Sequence, residues 1–248
     1  MPVYDPSQIE YAITSEIIDV VMDDGSTIPG YWAHPSLGAK FPGVALVHDW
    51  WGVTPLVRRL ANLIAQMGYH VIVPDLFNGQ VATTPQQAMT LVQRLGDDNG
   101  YPRVHNALSV LERRHNCNGA VAAIGLGMGG SLAFEAALTR DDLEAAVAFG
   151  GFPHRYWGRF KDARAPILAF YGDGEPHIVP AAIRKLQTEL TGSSLPHRVE
   201  IIPSTAHDFF FDHPTEMQRN AERMALRTMF SFLTEHLKRP IKAPSRRR

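Results

Sequence analysis

Three short stretches hold residue types that move protons and attack carbonyls, each just past an apolar run. Residues 124–130, IGLGMGG, crowd glycines around a corner; residues 170–177, FYGDGEPH, present the carboxylates Asp173 and Glu175; residues 204–211, STAHDFFF, present His207. A corner, an acid and a histidine in this order are the parts of a general-base site. Imidazole titrates near neutral pH, and a carboxylate beside it holds one tautomer and stabilises the charged form. The corner itself is the odd part. A sharp strand-to-helix turn projects its apex residue beside helix N–H groups whose dipole favours an anion. Here the apex is Gly127, which suits a strained backbone and brings no attacking atom.

Other candidates stand nearby. VHDWWG (47–52) ends a further apolar run and carries Asp49, which reads either as a pocket carboxylate that polarises water or as an anchor for its own loop. Ser131 falls inside the helix after the corner, where its side chain is expected to point away from the site. Cys117 precedes the apolar run at its opposite end. His177 and His213 are expected on the surface.

The elements that must position these groups follow from hydrophobic pattern. Residues 16–22 and 27–35, separated by DDGS, read as a β-hairpin with Gly25 in the turn. Buried strands are expected at 43–49, 69–77, 119–127, 145–151, 165–173 and 197–203, where apolar runs are continuous. Helices are expected at 55–67, 85–95, 102–115, from 128 onward, 178–191 and 214–237; the first begins with Pro55 and stops before Gly68. Alternation of strand and helix predicts an α/β fold, a mostly parallel central sheet flanked by helices behind an N-terminal hairpin. Ligands of such sheets lie beyond the carboxyl ends of the strands, where all four stretches fall.

With these motifs in this order the chain resembles the α/β-hydrolase fold and, within it, the dienelactone hydrolase family, over about residues 15–238. Gly125-Leu126-Gly127-Met128-Gly129-Gly130, Gly172-Asp173-Gly174-Glu175 and Ala206-His207-Asp208-Phe209 carry the resemblance, with VPDLF (73–77) and FPGVALVHDWWG (41–52) beside them. It implies that Gly127 stands at the nucleophile position, which the family fills with Cys or Ser. It implies His207 as general base and, by family spacing, Glu175 as orienting acid, with Asp173 the alternative. Asp49 stands where the family often has Glu; the N–H groups of Trp50 and Met128 match the oxyanion donors. Trp50, Trp51, Phe209 and Phe211 are the expected pocket walls. Arginines that the family uses to hold a substrate carboxylate are replaced by Asn78-Gly79-Gln80 and Phe210-Phe211, so the pocket is expected to be less basic and more aromatic, and dienelactone is not the expected substrate. VHDWWG also resembles the corner of haloalkane dehalogenases, in which Asp attacks, but it comes at the third strand, and Trp51 stands where that corner has Gly.

Two functions remain open at this level: an ester or lactone hydrolase, impaired or non-standard for want of the elbow nucleophile, or a non-catalytic relative that binds a small apolar ligand or a partner protein. The expected partner is a small ester- or lactone-like molecule, with the chain a monomer or homodimer. No motif implies a metal, nucleotide or flavin. The 248 residues carry a net charge of −1, which gives no overall reason to expect nucleic acid or an acidic membrane as partner. One cysteine excludes an internal disulfide and suits a reducing cytoplasm. No leader is visible, and no apolar run reaches the roughly 18 residues of a membrane helix. Residues 1–240 are expected to form one domain, with a basic, disordered tail at 241–248.

Overall fold

The computed structural model describes residues 11–237, so the basic tail at 241–248 lies outside the described residues. Eight strands form one sheet in the order β1-β2-β4-β3-β5-β6-β7-β8. The strands are β1 (Ile13–Val21), β2 (Thr27–Pro35), β3 (Phe41–Val47), β4 (His70–Pro74), β5 (Cys117–Leu126), β6 (Leu143–Phe149), β7 (Ile167–Gly172) and β8 (Arg198–Ile202). The β1–β2 hairpin turns at Gly25 (φ +84°), and Asp24 accepts from the Ser26 N–H at 2.9 Å. β1 pairs antiparallel with β2, and β2 antiparallel with β4; every other neighbouring pair is parallel.

Burial on both faces is what the continuous apolar runs require. In β3, Val44 and Leu46 face one core, Ala45 and Val47 the other; in β5, Ala122 and Ile124 oppose Val121 and Ala123. The helices are α1 (Pro55–Gln66), α2 (Pro85–Gln93), α3 (Tyr101–Arg113), α4 (Met128–Thr139), α5 (Pro180–Thr191) and α6 (Glu216–His236). α1 and α6 supply one core, through Leu60, Ile64, Met229 and Phe232; α3, α4 and α5 supply the other, through Leu108, Phe134 and Leu186. α1 starts where its sequence signals place it: Thr54 Oγ1 accepts from Val57 N–H, and Pro55 needs no partner.

Chain order and sheet order part company at β3. From β3 the chain moves outward to β4, then returns across to β5 on the other side. The carboxyl ends of β3 and β5 therefore flank a switch point, the crevice where open α/β sheets take ligands. Asp49 and Trp50 follow one of these ends and Gly127 the other. Two 3₁₀ turns after β6, His154–Tyr156 and Phe160–Asp162, were not expected from the sequence, and the first of them borders the site.

Candidate active site

The corner between β5 and α4 is built by close backbone approach. A Cβ at Gly125 would lie 2.0 Å from the Gly129 carbonyl oxygen, and one at Gly129 would lie 2.3 Å from that of Val47. Glycine at both lets the amino end of α4 press against β3 and β5. Gly127 turns the chain at φ +50°, ψ −112°, its N–H donating to the Phe149 carbonyl at 2.7 Å. A Cβ at Gly127 would point at His207, 3.3 Å from Nε2, with Asp49 Cβ 3.7 Å away and nothing else outside residues 126–128 within 4 Å. The apex thus aims where an attacking side chain would.

His207 is held from three sides. Its Nδ1 lies 2.9 Å from Glu175 Oε2, and the Glu175 side chain is only 2% exposed. The other carboxylate oxygen, Oε1, accepts from the His177 N–H at 2.8 Å. The imidazole lies on Gly150, where a Cβ would come within 2.8 Å of Cε1, and its ring is 5.5 Å from that of Phe152. Burial alone pulls the His207 pKa down; the hydrogen bond and charge of Glu175, joined by Asp208 and Asp49, outweigh it and raise it above the usual histidine value. Burial likewise pushes Glu175 up, but His207 and the His177 N–H outweigh it and hold the carboxyl low. An ionised Glu175 therefore fixes the proton on Nδ1 and leaves Nε2 as the base facing Gly127.

Asp49 also borders the corner, its Cβ 3.7 Å from where a Gly127 Cβ would lie. Its Oδ1 accepts from the Trp51 N–H at 2.8 Å, so it does anchor its own loop. Burial, together with the Asp208 carboxylate, pushes it up to about 6, against the pull of the Trp51 N–H and His207. His48 before it is structural: Nε2 accepts from Leu76 N–H at 3.1 Å and Nδ1 faces the Asp49 carbonyl at 2.6 Å, which ties the ends of β3 and β4 together. The N–H groups of Trp50 and Met128 have no acceptor among the described residues. Both flank the corner, Met128 as the first residue of α4, where helix N–H groups lack intrahelical partners.

These groups open onto a cavity of about 580 Å³. Trp50, Trp51, Leu126, Phe149, Phe152 and Phe209 give it an apolar wall. Two expectations, for Phe211 and for Ser131, need correction. Asp173 is exposed and faces a separate hollow with Ser204 and Gln218, so of the two acids only Glu175 meets His207. Phe211 turns into that same hollow, its carbonyl taken by Arg59 at 2.6 Å, while Phe210 packs inward on Phe149 and lines the main cavity instead. Ser131 does line the cavity, but its oxygen accepts from the Phe152 N–H at 2.9 Å and tethers that loop. His177, although exposed, also lines the cavity, its ring 5.0 Å from His207; His213 is exposed. Cys117 is buried at the amino end of β5, remote from the corner, and burial pushes its thiol up.

Sequence reasoning passed over Phe152, His154 and Arg155, which line the cavity from the loop after β6. The signal was available: GGF (150–152) follows a buried apolar run, and in the structure Gly150 turns there at φ +61°. Arg155 brings one guanidinium to a pocket expected to be less basic than the family's; it donates to the Asp97 carbonyl.

An elbow at the switch point, a histidine after the last strand and a carboxylate after the seventh define the α/β-hydrolase fold. Similarity sharpens this: the sequence model of the dienelactone hydrolase family matches residues 28–237, and the chain belongs to that family. It is 26% identical over 229 residues to carboxymethylenebutenolidase of Pseudomonas putida, covering 88% of this chain and 96% of that one. Two solved structures share the fold. A dienelactone hydrolase-like promiscuous phosphotriesterase from metagenomic libraries superposes with a TM-score of 0.79 at 20% identity, over 91% of this chain and 99% of the other. The dienelactone hydrolase of Anabaena variabilis gives 0.68 at 20% identity, with the same coverage.

Proposed function

We propose that this chain hydrolyses small, largely apolar esters or lactones by direct attack of water, with no covalent intermediate. One observation carries the reading: no side chain stands at the Gly127 apex, and a Cβ there would lie 3.3 Å from a His207 Nε2 that Glu175 still orients. A catalytic water in that space gives its proton to Nε2 as it attacks the carbonyl carbon. The N–H groups of Trp50 and Met128 are the oxyanion donors. The collapse of the tetrahedral intermediate returns the proton from His207 to the leaving oxygen. Asp49, at about 6, is a second acid–base group bordering the same corner. The apolar wall and the lone Arg155 favour an uncharged substrate body with at most one anionic group at the mouth. The buried, unpaired Cys117 fits a cytoplasmic setting. Among the described residues no helix is long and apolar enough to cross a membrane.

The rate lies well below that of a covalent enzyme: a triad lacking one member retains about 10³–10⁴-fold catalysis over water from oxyanion donors and binding. Hydrolysis of p-nitrophenyl butyrate tests the reading. Steady turnover without a burst is expected, with a loss on the order of 10²-fold in His207→Ala and a smaller one in Glu175→Gln. A burst with a trapped acyl-enzyme would overturn direct attack. Turnover no faster than His207→Ala would leave the cavity as a binding site for an apolar ligand, the role its wall would then serve alone.

A further inference from the structure

The cavity that Gly127 borders, about 580 Å³, is larger than one water needs, and we propose that its end at the corner is an acceptor site for a small neutral thiol, to which the chain transfers the acyl group of an activated ester. This rests on the reading of His207 as base and Trp50 and Met128 as oxyanion donors. Outside residues 126–128, a Cβ built on Gly127 would have only His207 Nε2 and Asp49 Cβ within 4 Å, and Gly127 lines the cavity of about 580 Å³. Pockets of roughly 300–1,000 Å³ hold drug-sized ligands, so a short ester and a short thiol fit together. A sulfur atom in this space sits beside Nε2 and the unfilled N–H groups at the start of the twelve-residue α4, which favour a thiolate.

The wall selects against water in favour of such a molecule. Leu126, Phe149, Phe152 and Phe209 offer water no partner, whereas the alkyl carbons of a thiol bury against them, and sulfur packs well on aromatic rings and on Met128. Asp49 at the corner and Asp208 beside His207 disfavour an anionic thiol. The step balances without another reactant. His207 Nε2 takes the thiol proton, sulfur bonds to the carbonyl carbon, the bond from that carbon to the leaving oxygen breaks, and His207 protonates that oxygen. An aryl or enol ester, whose alcohol leaves more easily than the thiol, makes the exchange run forward.

The test follows p-nitrophenyl butyrate with ethanethiol, separating thioester from free butyric acid by chromatography. His207→Ala supplies the uncatalysed thiolysis. Thioester is expected to form on the order of 10- to 100-fold above that background, within the range of a positioned general base. It should saturate with thiol and displace acid formation. It should fall with 2-methyl-2-propanethiol, with 3-mercaptopropionate and in Gly127→Ala, relative to the same background. Should Gly127→Ala fail to fold, the thiol series on the unaltered protein decides alone. Thioester at the background rate, or linear in thiol without saturation, while His207-dependent acid release continues, overturns the thiol site and leaves the hydrolase. Loss of both products overturns both.

Discussion

The site as proposed lacks one side chain, at Gly127, and its neighbours make the consequence measurable. Gly127 sits at φ +50°, so any other residue there is strained, at about 1–3 kcal/mol. The new Cβ, 3.3 Å from Nε2, also asks the imidazole to yield slightly. A domain of ordinary stability, about 5–15 kcal/mol, tolerates this. Gly127→Cys and Gly127→Ser are therefore expected to fold and to gain ester hydrolysis on the order of 10²–10⁴-fold, the range of general-base assistance to a positioned nucleophile. Cys exceeds Ser, since its thiol ionises more readily at the start of α4. Adding His207→Ala should abolish the gain. A folded Gly127→Cys with no burst, or a gain indifferent to His207, would show that His207, Trp50 and Met128 do not form a competent base and oxyanion hole.

At the level of elements, the turn between β5 and α4 and the loop after β6 divide the work. Gly125→Ala and Gly129→Ala force Cβ atoms to 2.0 and 2.3 Å from backbone oxygens that sit in the sheet and helix frame. Both are expected to cost about 3 kcal/mol or more, in the range of severe overpacking. Gly150→Ala instead presses on a side chain, at 2.8 Å from His207 Cε1, and on its own φ of +61°. Its signature is a fall in kcat larger than its loss of melting temperature predicts; an unchanged kcat would mean the imidazole does not rest on Gly150. These glycines also mark what was legible in the chain. The inner strands showed themselves because parallel strands buried on both faces read as unbroken apolar runs, and the elbow showed itself because close approach demands glycine at 125, 129 and 130. The pairing of Glu175 rather than Asp173 with His207 was open until the backbone turned, as both lie in one short acidic loop. The 3₁₀ turn at His154–Tyr156 was hidden, since three residues are too few for a period. The fate of Phe211 was hidden too: three consecutive phenylalanines cannot all face one cavity, and sequence does not say which turns out.

Across the whole molecule, acid stability is governed by histidines that fold as neutral groups. Burial lowers His70 to about 4, with the charges of His34, Arg114 and His115 adding against the Asn116 carbonyl. Burial lowers His197 to about 4 as well, and its Nδ1 accepts the Ile167 N–H at 3.0 Å, a bond that protonation would break. His48, fully buried, is lowered in the same way and accepts from Leu76. The unfolded chain binds these protons near pH 6.5, so each group's contribution is complete above that value and is lost as pH falls toward 4. The gap for His70 and for His197 corresponds to about 1–3 kcal/mol each after allowance for partial exposure. Asp49 opposes them. Its folded value of about 6 lies above the unfolded carboxylate value, so its buried charge costs stability above pH 6, and the cost fades as pH falls toward 4. His236 is lowered as well, and Glu112, Glu222 and His207 are raised and act with Asp49, but the large shifts of His70 and His197 weigh most, and urea unfolding is expected to give a smaller free energy at pH 4.5 than at pH 7. Asp49→Asn keeps an acceptor for the Trp51 N–H and removes the charge. It should therefore stabilise the protein by about 1–3 kcal/mol at pH 7.5, make no difference near pH 4, and so steepen the acid loss. Replacing His70 with Gln and His197 with Asn, which preserve the hydrogen bonds to Asn116 and Ile167, should flatten it. An Asp49→Asn effect equal at both pH values would mean that Asp49 titrates in the folded protein as it does in the unfolded chain, and its place as a buried carboxylate of raised pKa beside the Gly127 corner would fall with it.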